Sequence, residues 1–62
     1  MPIVHIYLLE GRSEEKLKNL IKNVTKAISE SLEVDPDKIM VVLHELPSDK
    51  IARGGITLKE RR

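Results

Sequence analysis

Three features of the sequence predict an α/β fold (α+β by some conventions) made of one βαβ unit followed by a carboxy-terminal hairpin. Two short runs rich in β-branched and bulky apolar residues occupy positions 3–9 and 38–45. Between them, residues 13–32 carry apolar side chains at helical spacing. A Gly54-Gly55 pair then separates two further apolar fragments. Strand, amphipathic helix and strand of these lengths form a unit with parallel strands, because a crossover of a dozen or more residues is needed to return the chain in the same direction.

The first strand places Ile3, His5 and Tyr7 on one face and Val4, Ile6 and Leu8 on the other. Both faces are largely apolar, the pattern of a strand covered on two sides. Glu10-Gly11-Arg12-Ser13 interrupts the run. Ser13 suits a helix N-cap, and Glu14 and Glu15 complement the positive end of the helix dipole. Leu17, Leu20, Ile21, Val24, Ala27, Ile28 and Leu32 then form one stripe, with Lys18, Asn19, Lys22, Lys26 and Glu30 opposite. The three lysines at four-residue spacing make a basic line. No aromatic side chain is interleaved for base stacking, so a solvated helix face is expected there rather than a nucleic-acid site. Asp35-Pro36-Asp37 ends the helix, since the residue before a proline avoids helical dihedrals. The second strand is expected at residues 38–45. Gly54-Gly55 fits a hairpin turn that requires positive φ; a phosphate loop would need a strand-to-helix context absent from this stretch.

With 62 residues, one aromatic side chain (Tyr7) and no cysteine, a single domain over residues 1–62 is expected, too small to fill a core alone. Domains of this size bury only about 60% of their unfolded surface. Disulfides are excluded, and His5 and His44 cannot supply the usual ligand set of a structural zinc site. Self-association is the remaining means of covering the sheet, most simply by two units joining into one. Eleven basic and ten acidic residues give a net charge of +1, which creates no field to hold a nucleic acid or an anionic membrane. The amino-terminal apolar run lacks a basic leader and no stretch reaches bilayer length, so a cytoplasmic location is expected.

Pro2 follows the initiator methionine directly and opens the first strand. Removal of Met1, expected before so small a residue, leaves a secondary amine; α-amino groups titrate near 8, and apolar surroundings lower the value further. Position alone leaves two readings, a terminal base and a plain strand start whose missing N–H costs nothing. Arg12 lies where the first strand meets the helix, a place where α/β folds gather ligand groups. Its guanidinium could grip a carboxylate with two parallel hydrogen bonds or pair with Glu14 or Glu15 on the surface. His5 is expected to find partners for its ring at a subunit contact. His44 and Glu45 point to opposite strand faces, which disfavours a paired acid–base role.

Pro2-Ile3-Val4-His5-Ile6, Leu9-Glu10-Gly11-Arg12-Ser13, a helix of fitting length and the late Gly54-Gly55 together resemble the 4-oxalocrotonate tautomerase family of the tautomerase superfamily. The resemblance covers almost the whole chain. It implies a tautomerase-like subunit that pairs into a four-stranded sheet with two helices, three such dimers forming a hexamer. It further implies cofactor-free isomerisation of 2-hydroxymuconate-like enols, of the kind met in aromatic degradation, with Pro2 as general base and Arg12 as carboxylate binder. Two positions depart from the family pattern. Met40 stands where a second arginine is contributed to a neighbour's site, and Ile51 stands where an aromatic residue lines the substrate. Ile51 can still exclude water beside Pro2. Lys38, Lys50 or Arg53 could restore the missing charge, or be plain surface residues. Two functions follow: a tautomerase for a small 2-hydroxydienoate or 2-oxo acid, or an oligomeric scaffold or binding protein that kept the fold and lost the chemistry. Assembly with a sister chain that supplies the arginine is a third arrangement the pattern allows.

Overall fold

The computed structural model describes residues 1–61. The chain runs through β1 (Ile3–Leu9), α1 (Glu14–Leu32), a 3-10 turn (Pro36–Lys38), β2 (Met40–Leu46), a second 3-10 turn (Ser48–Lys50), β3 (Ala52–Arg53) and β4 (Ile56–Thr57). β1 and β2 pair in parallel, with Ile3 opposite Met40 and Leu9 opposite Leu46. The βαβ unit is therefore present. The second strand begins later than residue 38, because Asp35 caps a turn: its Oδ1 accepts the Asp37 N–H at 2.9 Å and its carbonyl accepts the Lys38 N–H at 2.9 Å. At the far end the strand extends to Leu46, whose carbonyl accepts the Glu10 N–H at 2.9 Å.

The helix starts where its cap predicts. Ser13 Oγ accepts the Lys16 N–H at 3.2 Å, satisfying one of the donors that a first turn leaves without a partner. It ends at Glu33, which adopts the left-handed conformation at φ 56° and donates its N–H to the Ser29 carbonyl. Ser29 Oγ in turn donates to the Val34 carbonyl at 2.6 Å. In the hairpin, Ala52 faces Thr57 and Arg53 faces Ile56, and Gly54 and Gly55 take φ of 63° and 82°. Two successive residues at positive φ make the tight turn that glycine allows without a Cβ penalty. Glu60 closes the segment by accepting the Thr57 N–H at 3.0 Å and the Thr57 hydroxyl at 2.8 Å. Those two bonds, the backbone one foremost, hold its carboxyl below the usual carboxylate range.

Only one face of the parallel pair is covered. Val4, Ile6 and Leu8 of β1 and Val41 and Leu43 of β2 are half-buried on the helix side. Residues paired in a parallel ladder point to the same side, so Ile3, His5, Tyr7, Leu9, Met40, Val42, His44 and Leu46 share the other face. There Tyr7 is 67% and Met40 48% exposed. The two-sided cover that the apolar pattern of β1 predicts is thus absent from the protomer. Among the described residues none is fully buried. The accessible surface is 5065 Å², against about 4,100 Å² for a folded monomer of this mass. The radius of gyration is 14.6 Å, against about 11 Å for a compact chain of this length. This subunit is a slab of 43 × 25 × 13 Å with one apolar side open.

Candidate active site

Pro2 is half-buried at the start of β1, and its carbonyl accepts the Met40 N–H at 3.0 Å, which ties the beginnings of the two strands together. Met1 before it is 81% exposed. While the Met1–Pro2 peptide bond is intact the Pro2 nitrogen is an amide without a basic lone pair; cleavage there would free the amine in a place already fixed by the sheet.

Arg12 is set at the other end of β1. Gly11, at φ 121°, bends the chain out of the strand, and Arg12 Nη1 donates to the Leu9 carbonyl at 2.9 Å. The surface pairing with Glu14 is not formed, since Glu14 faces Lys18 at 3.8 Å instead. One nitrogen spent on a carbonyl orients the guanidinium and leaves its other N–H groups pointing to solvent, where a planar carboxylate can bind. Ile51 follows the far end of β2, half-buried, and its carbonyl accepts the Leu58 N–H at 2.9 Å to close the base of the hairpin.

The seven residues of β1 span roughly 20 Å. Pro2, Lys38 and Met40 therefore stand at one end of the sheet, while Arg12 and Ile51 stand at the other. Within one protomer the structure does not bring Pro2 together with Arg12 or Ile51. Of the substitute cations, Lys38 is exposed two residues before Met40, whereas Lys50 pairs with Asp49 at 3.4 Å and Arg53 lies exposed in β3. Two open hollows of about 410 and 430 Å³ lie along α1, one lined by Lys22, Thr25, Lys26, Ser29, Glu30 and Pro36, the other by Glu14, Glu15 and Lys18. Neither includes Pro2, Arg12 or Ile51.

One polar group on the open face was not legible beforehand. His5 Nδ1 and His44 Nε2 are 2.8 Å apart, and the His44 ring stacks on Tyr7 at 4.3 Å between centroids and 12° between planes. His5 thus finds a ring partner inside its own chain. The parity of β1 puts His5 and Tyr7 on one face, but the pairing with His44 depends on the strand register, which no residue type announces.

A protein-family model described as "Tautomerase enzyme" matches residues 2–61. The chain belongs to the tautomerase family. It is 46% identical over 56 residues to a protein named probable tautomerase from Lactiplantibacillus plantarum, covering 90% of this chain and 88% of that one. It is 40% identical over 55 residues to a 2-hydroxymuconate tautomerase from Pseudomonas putida, covering 89% and 87%. Among solved structures, a 4-oxalocrotonate tautomerase isozyme from Methylibium petroleiphilum superposes with a TM-score of 0.93 at 33% identity, covering 97% and 94%. A heterohexamer 4-oxalocrotonate tautomerase from Chloroflexus aurantiacus superposes with a TM-score of 0.93 at 29% identity, covering both chains fully at 100%. Tautomerases are isomerases, and that is the class of this enzyme. The architecture expected from the resemblance, a βαβ unit with a further hairpin, is the one these structures share. Among the described residues no helix is long and apolar enough to cross a membrane.

Proposed function

We propose that this tautomerase moves a proton between the oxygen and a distal carbon of a small 2-hydroxydienoate or 2-oxo acid, using Pro2 as base and Arg12 as carboxylate binder in a site shared between copies. The observation that carries the assignment is the presence, at opposite ends of one strand, of a strand-initial Pro2 and an Arg12 guanidinium oriented by the Leu9 carbonyl. With Met1 removed, the Pro2 nitrogen takes the proton from the enol hydroxyl. The oxygen keeps the bonding pair, a carbonyl forms, and the conjugated electrons shift to the distal carbon, which receives the proton back from the prolinium. No external electron acceptor is needed, because conjugation with the carbonyl carries the charge. Arg12, at the opposite end of β1, meets Pro2 only if it comes from a second copy, with Ile51 keeping water from the reacting centre. A homohexamer of the kind the resemblance implies would hold that arrangement.

Enol decay followed by ultraviolet absorbance tests this. With 2-hydroxymuconate or phenylenolpyruvate, Pro2→Ala should lose at least about a hundredfold in kcat/KM, the usual contribution of a general base. Arg12→Ala should lose a comparable factor through the carboxylate contact. Equal rates for all three proteins, after subtraction of the solvent reaction, would remove both residues from the mechanism.

The scaffold reading draws on Met40, whose uncharged side chain occupies the position of the second arginine. Titration of the terminal amine separates the two. A catalytic amine titrates clearly below a free proline amide, whereas a scaffold has no cause to depress it.

A further inference from the structure

We propose that the His5–His44 pair makes the self-association of this chain acid-sensitive, because it lies on the open face of the β1–β2 sheet that a second copy covers. The face fits a copy of itself for two reasons. It carries no Lys, Arg, Asp or Glu, so identical faces meet without a fixed charge of like sign, and its rim and centre are Ile3, Leu9, Met40, Val42 and Leu46. The protomer also exposes about 1,000 Å² more than a folded monomer of its mass, close to the roughly 800 Å² per partner that a stable interface removes.

Within this face His5 Nδ1 and His44 Nε2 meet at 2.8 Å. A bond between two imidazole nitrogens needs one N–H and one lone pair. Neutral rings supply both, and one added proton on a distal nitrogen leaves the bond intact. A second proton places two N–H groups head to head at that distance, and the rings must separate. A covering copy makes even the first cation costly, since the neighbours are apolar. The remaining titratable group on the face is Tyr7, stacked on His44. Glu45 points to the helix side, α1 sends no charge through the sheet, and Glu10 and Lys38 stand beyond the strand ends. A second copy brings the same set. No carboxylate on this face is available to compensate an imidazolium.

Assembly therefore selects the deprotonated pair, and the sign follows. The separated protomers bind more protons than the assembly, so the association constant falls as pH falls, about tenfold per pH unit for each proton taken up when a contact opens and so about a hundredfold for a dimer whose two protomers each take up one. The consequence for activity rests on the shared-site assignment above; the assembly equilibrium does not, and is measured without substrate.

Sedimentation velocity on the full chain at constant ionic strength, from pH 8 to pH 5, should show the large species giving way to smaller ones. The double variant His5→Gln/His44→Gln should keep its mass across the range. His5 and His44 are the chain's two histidines, so their ring signals in a proton NMR titration report the pair directly, and dissociation should coincide with their protonation. A wild-type mass that is constant while both rings titrate would overturn the proposal. So would dissociation of the double variant at the wild-type pH, or a wild-type monomer at pH 8. If the double variant fails to assemble at any pH, the NMR comparison decides, and dissociation displaced from ring protonation counts against it.

Discussion

In the proposed site, Met40 is where a single residue most directly limits what can bind. Its backbone is fixed beside Pro2 by the 3.0 Å hydrogen bond, while its side chain is half exposed on the sheet's open face. Within the protomer a longer cationic side chain meets no packed neighbour there, and beside Pro2 at the strand's start it lies at the rim of the face that a second copy covers. One electrostatic contact to a developing oxyanion or a second carboxylate is worth about 3 kcal/mol, or roughly a hundredfold in rate. The wild type should accordingly favour monocarboxylate over dicarboxylate enols, and Met40→Arg should raise kcat/KM for a dicarboxylate at least about tenfold relative to a monocarboxylate. Parallel assays of 2-hydroxymuconate and phenylenolpyruvate measure that ratio; a wild type that already prefers the dicarboxylate, or a ratio unmoved by the arginine, would refute the role given to Met40. Residues of this kind are legible from sequence because their chemistry is tied to position: a proline after the initiator, an arginine one residue past a glycine bend. The His5–Tyr7–His44 stack is different. It exists only because β1 and β2 align Ile3 with Met40, and a shift by one residue would send His44 to the helix side.

Individual elements were predictable to the extent that local bonds end them. Ser13 and the glycine pair announce the helix start and the hairpin turn, and both are where expected. β2 begins two residues later than its apolar run predicts because the Asp35 side chain draws Pro36–Lys38 into a turn, a competition between local capping and strand pairing that apolar patterning does not register. The end of α1 was marked in sequence by Pro36, yet the chain leaves the helix at Glu33 by adopting φ 56°, a conformation that favours glycine. The two helix ends therefore predict opposite effects. Ser13→Ala removes the 3.2 Å cap to Lys16 and should cost about 1 kcal/mol. Glu33→Gly relieves the left-handed strain and should stabilise by up to about 1 kcal/mol, less whatever glycine loses in unfolded-chain entropy. Urea unfolding at one fixed protein concentration reads both, since stability coupled to assembly depends on concentration. A destabilised Glu33→Gly would mean that the glutamate side chain contributes more than its backbone costs.

At the scale of the whole molecule, the length of β1 constrains how the proposed site can be built. A strand that holds Pro2 at one end and Arg12 at the other, roughly 20 Å away, cannot close a small substrate between them in one protomer. A second copy running antiparallel to the first would set its Arg12 beside the first copy's Pro2, and by symmetry complete two sites at once. That arrangement makes a quantitative prediction for mixtures. Pro2→Ala subunits retain Arg12, and Arg12→Ala subunits retain Pro2, so each variant alone has every site broken. When the two are co-expressed in equal amounts and pair at random, a site is intact when its proline comes from an Arg12→Ala subunit and its arginine from a Pro2→Ala subunit. Each condition holds half the time, so about a quarter of wild-type activity per site should return. If Pro2 and Arg12 instead served the same site from one chain, no mixed assembly could contain both, and activity would stay at the level of the single variants. Recovery in the co-expressed mixture but not in separately purified, unmixed samples would locate the effect in subunit pairing rather than in reversion or contamination. The size of the recovery then reports how the two variants pair, since a third contributing subunit whose own residue is untouched by either variant leaves the quarter unchanged, whereas preferential pairing of like subunits lowers it.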